Sequence, residues 1–131
     1  MRVLIADTEA VHTFLLEMFL TKWGYEVSST DNGAKAWEIL RGKDRPRIVI
    51  LDSDLPGMNG LEICRELRRT EQSRDEHTYI LLLTARAQKS DLQKGMAAGA
   101  DDYLTKPYDP EELQKRLLAA CNFIQGSVQV A

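Results

Sequence analysis

Cysteine is scarce in this chain: 2 of 131 residues, Cys64 and Cys121, each in a segment with helical spacing. Two thiols cannot staple a domain of this size, so a disulfide scaffold is excluded and buried free cysteines of a reducing compartment are expected. Proline (4) and glycine (8) are too few for a low-complexity or collagen-like chain. No apolar run approaches the roughly 20 residues a membrane span requires. With no leader-like start, a cytoplasmic location away from the membrane is expected. A surplus of one charge is also lacking. Seventeen basic against 20 acidic side chains leave a net −3, which gives this domain no electrostatic reason to bind nucleic acid directly. What remains is 44% hydrophobic and 28% charged residues, the balance of one soluble globular domain.

The apolar period switches repeatedly along the chain. A buried run at residues 2–6 predicts a strand ending at Asp7. A helix from Thr8 follows, with Val11, Phe14, Leu15, Met18 and Phe19 as its expected core face and Gly24 as its stop. Residues 25–29 alternate as a strand, and Ala34, Trp37, Ile39 and Leu40 mark a second helix. Ile48-Val-Ile-Leu51 is a buried strand that runs into Asp52. Asn59 is placed to cap the helix carrying Leu61, Cys64 and Leu67. Residues 79–83 form the fourth strand, ending at Thr84, and a helix with Leu92 and Met96 stops near Gly99. A short strand around Tyr103 ends at Lys106. Asp109 and Glu112 are spaced as a capping box, with Pro110 opening a last helix through Leu113, Leu117, Ala120, Cys121 and Ile124.

Five strand–helix pairs in strict alternation imply a parallel sheet covered on both faces. In such sheets functional groups gather at the carboxyl ends of the strands. Asp7, Asp52, Thr84 and Lys106 are therefore expected in one crevice. Two neighbouring carboxylates repel unless a cation intervenes. Lys106 supplies one charge, and hard oxygen donors without nearby His or Cys favour Mg²⁺ for the rest. A carboxylate is a competent nucleophile toward phosphorus. With metal, lysine and hydroxyl around it, phosphoryl transfer to Asp52 fits this set better than a hydrolysis that needs a histidine base.

These segments resemble the response regulator receiver domain, the CheY-like phosphoacceptor of two-component signalling. Val3-Leu-Ile-Ala-Asp7, Ile48-Val-Ile-Leu-Asp-Ser-Asp-Leu-Pro-Gly-Met-Asn-Gly60, Leu82-Leu-Thr-Ala85 and Ala98-Gly-Ala-Asp-Asp-Tyr-Leu-Thr-Lys-Pro107 match its four motifs in order and spacing. The resemblance implies a single doubly wound α/β domain, flavodoxin-like, with strand order 2-1-3-4-5. It would span residues 1–122, with 123–131 a C-terminal tail or the start of a linker. It further implies Asp52 as phosphoacceptor, Thr84 as switch hydroxyl, Tyr103 as switch aromatic and Lys106 as the essential lysine, before a cis Lys106-Pro107 bond. Mg²⁺ would be held by Asp7, Asp52 and the backbone carbonyl of Asp54. Thr8 stands where the family usually carries a second metal-binding acid, and a hydroxyl is the weaker ligand; Glu9 or the Asp54 side chain could compensate. Implied partners are a sensor histidine kinase or phosphotransfer protein, a C-terminal effector domain outside this chain, and a second copy through the face of the fourth helix, fifth strand and fifth helix. The charges of Asp101, Asp102, Lys115 and Arg116 suit that two-fold contact.

Two other readings compete. An unphosphorylated interaction module is supported by Thr8. An aspartyl-phosphate phosphatase is suggested by Asp52-Ser-Asp54, but there the motif follows the first strand of a longer fold. The remaining residues read blandly. His12 and His77 have no acidic partner at ligand spacing and are expected in solvent, as are Arg65, Glu66, Arg68 and Arg69. Phe14, Phe19, Trp23 and Trp37 read as core or rim.

Overall fold

A computed structural model describes residues 1–73, 76–85 and 88–129, the side chains of 127–129 excepted. Strands β1 (Arg2–Ala6), β2 (Glu26–Thr30), β3 (Ile48–Asp52), β4 (Tyr79–Thr84) and β5 (Asp102–Thr105) alternate with helices α1 (Ala10–Lys22), α2 (Gly33–Leu40), α3 (Gly60–Thr70), α4 (Lys89–Ala98) and α5 (Pro110–Gln129). The sheet is parallel throughout, in the order β2-β1-β3-β4-β5. β3 and β4 are buried along their whole length, which is why they read as unbroken apolar runs.

Alternate strand residues feed two cores. Val3, Ile5, Ile48, Ile50, Leu81 and Leu83 pack under α1 and α5. Leu4, Ala6, Val49, Leu51, Ile80 and Leu82 pack under α2, α3 and α4. Helix starts carry the chemistry their sequences suggest. Asn59 Oδ1 accepts the Glu62 N–H at 2.9 Å, and Asn32 caps α2 in the same way. At α5, Asp109 Oδ1 takes the Glu111 N–H (3.0 Å), while the Glu112 N–H goes to the Asp109 carbonyl (2.9 Å) and its side chain to Arg116 (3.3 Å), so Asp109 caps the helix without the expected capping box. α5 itself continues beyond residue 122, with Ile124 in the core and Phe123 against it. Residues 130 and 131 of the expected tail lie outside the described residues. Among the described residues no helix is long and apolar enough to cross a membrane.

Three expectations need correction. The core face of α1 is Leu16 and Leu20, whereas Val11, Phe14, Leu15 and Met18 are exposed. Apolar residues occur on every side of this helix, so spacing alone cannot select the buried face. Second, His77 is not solvated. Its Nε2 meets Asp101 Oδ1 at 2.7 Å and its Nδ1 lies 3.5 Å from Glu71 Oε2. Third, Arg68 leaves the solvated face of α3. It binds both oxygens of Glu71 (2.8 and 2.9 Å), Asp101 Oδ2 (2.7 Å) and the Gly99 carbonyl (2.8 Å). Glu71 is only three residues from Arg68, but Gly99 and Asp101 come from a loop distant in sequence, beyond the reach of helical spacing.

Hydrogen bonds to Asp101 and Glu71 hold the His77 pKa above its ordinary 6.5. A raised folded pKa means that the stabilisation is complete below about pH 6.5 and fades as pH rises through the folded value. The melting temperature should therefore fall on going from pH 6 to pH 8.5, and His77→Gln should remove that part of the slope. Parallel slopes for parent and variant would contradict it.

Candidate functional site

Strand register assembles the site. Ala6 pairs with Leu51, so Asp7, one residue past β1, comes to lie beside Asp52 at the end of β3. Asp52 pairs with Leu83, which puts Thr84 one step beyond, and Thr84 pairs with Thr105, which brings in Lys106. Gly60 then presses on the back of the acceptor: a Cβ there would lie 2.6 Å from the Asp52 carbonyl oxygen. Gly60→Ala should thus shift the end of β3 and lower the melting temperature, whereas Gly126→Ala, with open space around it, should not.

All four residues expected in one crevice are there. Asp7 and Asp52 are 3% and 8% exposed, and Thr84 is buried with them. Lys106 Nζ lies 3.2 Å from Asp7 Oδ2 and 3.4 Å from Asp52 Oδ2, and it also reaches Glu9 Oε1 at 3.5 Å. The other oxygen of each aspartate accepts a backbone N–H: Asp7 Oδ1 from Glu9 (2.9 Å) and Asp52 Oδ1 from Asp54 (3.0 Å). Ser53 donates to Thr84 Oγ1 at 3.1 Å. A crevice of about 280 Å³ opens between Ser53, Asp54, Asn59, Leu82 and Thr84. Tyr103 is partly buried against the core of the α2–α4 side, and Lys106-Pro107 is cis. Thr8 is exposed.

Sequence reasoning missed two members of this site, and one is a further correction. His12 is not solvated: Nδ1 meets Asp7 Oδ2 at 2.6 Å and Nε2 meets the Tyr108 hydroxyl at 2.7 Å. The bond to Asp7 spans five residues across a loop and the bond to Tyr108 spans 96, so local spacing carries no signal for either. A match between strand ends and the first turn of α1 could have suggested the first.

The two carboxylates feel opposite environments. Burial pushes Asp7 up, but His12, the Glu9 N–H and Lys106 outweigh it and hold its pKa at about 2. For Asp52 burial prevails over the Asp54 N–H and Lys106, with Asp7 adding repulsion, and its pKa is raised. Burial works against the Lys106 charge, yet Asp52 and Asp7 hold its pKa above 10.5. The lowered Asp7 stabilises the fold at neutral pH, a contribution lost as pH falls from about 4 toward 2. The charged form of Asp52 costs stability, and that cost is relieved as pH falls through its folded value. In EDTA at pH 7, Asp7→Asn should therefore cost about 2 kcal/mol while Asp52→Asn raises the melting temperature. Shifts of the same sign would refute this division.

Three carboxylates, Asp7, Glu9 and Asp52, meet one ammonium, so negative charge is in excess. That all-oxygen set fits a hard divalent cation. Among the described residues no three such side chains form a complete ligand cluster, so backbone carbonyl or water would have to fill the shell.

The model of the response regulator receiver domain family matches residues 3–118. Transcriptional regulatory protein AfsQ1 of Streptomyces coelicolor is 40% identical over 117 residues, 89% of this chain and 49% of AfsQ1. The chain spans about half the length of the curated relatives it matches. A candidate response regulator of Chloroflexus aurantiacus superposes with TM-score 0.82 at 34% identity, over 91% of this chain and 95% of that one. The receiver domain of sensor histidine kinase PA1611 of Pseudomonas aeruginosa, solved with a magnesium ion in its active-site cleft, gives 0.79 at 30% identity, over 90% and 94%.

Proposed function

Because the chain belongs to the response regulator receiver domain family of two-component systems, we propose that Asp52 takes a phosphoryl group from a histidine kinase or phosphotransfer protein in the cytoplasm and thereby controls an output. The observation that carries this is the Lys106 ammonium, within 3.4 Å of both Asp7 and Asp52 at the mouth of a buried sheet. An Asp52 oxygen attacks phosphorus, the P–N bond of the donor phosphohistidine breaks, and its electron pair returns to the imidazole. Lys106 neutralises charge on the transferring oxygens, and the Asp54 N–H keeps the acceptor carboxylate in line. A bound Mg²⁺, held by Asp7, Asp52 and the Asp54 carbonyl, would supply the remaining positive charge. Phosphorylation would draw Thr84 Oγ1 from Ser53 toward the phosphoryl oxygens, and Tyr103 would turn in behind it. The chain is read as a phosphoacceptor that assists its own labelling and hydrolysis, without an external substrate to turn over.

The output is proposed to be transcriptional, through an effector domain outside this chain, since the curated relatives are transcriptional regulators about twice as long. Dimerisation through α4, β5 and α5 would use Asp102, Lys115 and Arg116. Asp101 is already turned inward to Arg68 and His77, and Arg116 would have to release Asp102 from their 2.7 Å pair. Incubation with phosphoramidate should add one hydroxylamine-labile phosphate per chain, and EDTA should block it. No uptake at any Mg²⁺ concentration would favour the interaction module that Thr8 suggests.

A further inference from the structure

The phosphoacceptor chemistry leaves the α1 side of the site unexplained. There His12 is half-buried between two partners, Asp7 Oδ2 at 2.6 Å and the Tyr108 hydroxyl at 2.7 Å. The His12 and Tyr108 rings also meet edge-on, with centroids 5.6 Å apart. A carboxylate only accepts, so at 2.6 Å His12 Nδ1 carries the proton of that bond. The Tyr108 phenol carries an O–H that can donate to Nε2 across their 2.7 Å contact. The bonds then run in one direction, from Tyr108 O–H to His12 and from His12 N–H to Asp7. Together with Lys106 on Oδ2 and the Glu9 N–H on Oδ1, three donors fix the plane of the Asp7 carboxylate.

We propose that His12, held by Tyr108, is a positioning residue of the divalent-metal site: it fixes Asp7 in the orientation that binds the ion and offsets part of what Thr8 removes. The role rests on the metal-dependent phosphoacceptor reading above. His12 is not itself a ligand, since both ring nitrogens are engaged. Donors that orient a metal-binding side chain typically matter by about 10–100-fold in affinity.

The test is a Mg²⁺ titration of the parent, His12→Gln, His12→Asn and Tyr108→Phe at one pH, followed by calorimetry without any phosphodonor. Melts in EDTA establish that each variant is folded. The Asn amide nitrogen falls near the place of Nδ1 and can still donate to Asp7, whereas the Gln amide nitrogen falls near Nε2 and keeps only the Tyr108 side. His12→Gln should weaken Mg²⁺ binding at least about 10-fold, while His12→Asn stays within about threefold of the parent. Equal affinities in parent and His12→Gln overturn the positioning role, and so does an equal loss in both His12 variants, the mark of packing alone. A parent that binds no Mg²⁺ overturns the metal reading beneath it, a different result from either. A measurement independent of metal is the imidazole ¹⁵N spectrum of the metal-free parent. It should show a protonated Nδ1, and a bare Nδ1 with the proton on Nε2 would contradict the proposal even if a His12 variant failed to fold.

Discussion

Lys106→Met is expected to destabilise the metal-free protein by about 3 kcal/mol, because it strips the counter-cation from partly buried carboxylates. The Lys106 ammonium is the shared partner of Asp7, Glu9 and Asp52, at 3.2, 3.5 and 3.4 Å, and its side chain is 16% exposed. Without it Asp52, whose pKa is already raised by burial, faces Asp7 unscreened. Two consequences separate this repulsion from loss of packing. Adding Mg²⁺ should return part of the stability, because a divalent cation replaces the missing charge. Adding Asp52→Asn to the variant should return most of it, since one of the repelling charges is then gone. Urea unfolding in EDTA measures the loss and the Asp52→Asn rescue, and a parallel series with Mg²⁺ in place of EDTA measures the rescue by the cation. Phosphate uptake by Lys106→Met should also fall by about 100-fold or more, the usual cost of removing a charge aimed at the transferring group. Unchanged stability with normal uptake would mean that Lys106 is a bystander.

Thr8→Asp should have the opposite character. It restores an anionic donor beside Asp7, and by the scale of weaker, indirect losses at metal sites the gain in Mg²⁺ affinity should be at least about 10-fold. The same change puts a fourth carboxylate around one ammonium, so the metal-free protein should melt lower than the parent. Thr8 is exposed, so the substitution causes no packing strain to confuse the result. Titration with Mg²⁺ and melting in EDTA read the two halves separately. Equal affinities would mean that Glu9, already 3.5 Å from Lys106 Nζ, supplies the missing charge.

How far these features were legible in the sequence depends on their range. Asp7, Asp52, Thr84 and Lys106 were legible because a parallel sheet converts strand ends into one crevice, and register then leaves little freedom. β3 and β4 were legible as apolar runs because both their faces are covered. The buried face of α1 was not, since Val11, Phe14, Leu15 and Met18 are as apolar as Leu16 and Leu20, and only the sheet decides which side is covered. His12 and His77 were misread for another reason. Their acidic partners, Asp7 and Asp101, sit on loops that the fold delivers from outside the helical repeat. Arg68 belongs with them: its charge looked like part of a solvated face until the loop carrying Gly99 and Asp101 closed over it.

The phosphoacceptor assignment is tested most directly by reducing the labelled protein with borohydride, which converts an aspartyl phosphate to homoserine, and mapping the modified residue by mass spectrometry. Homoserine at position 52, and no phosphate uptake by Asp52→Asn under the same conditions, is the required result. Undiminished labelling of Asp52→Asn, or homoserine at Asp7 or Asp54 with Asp52 intact, would contradict it.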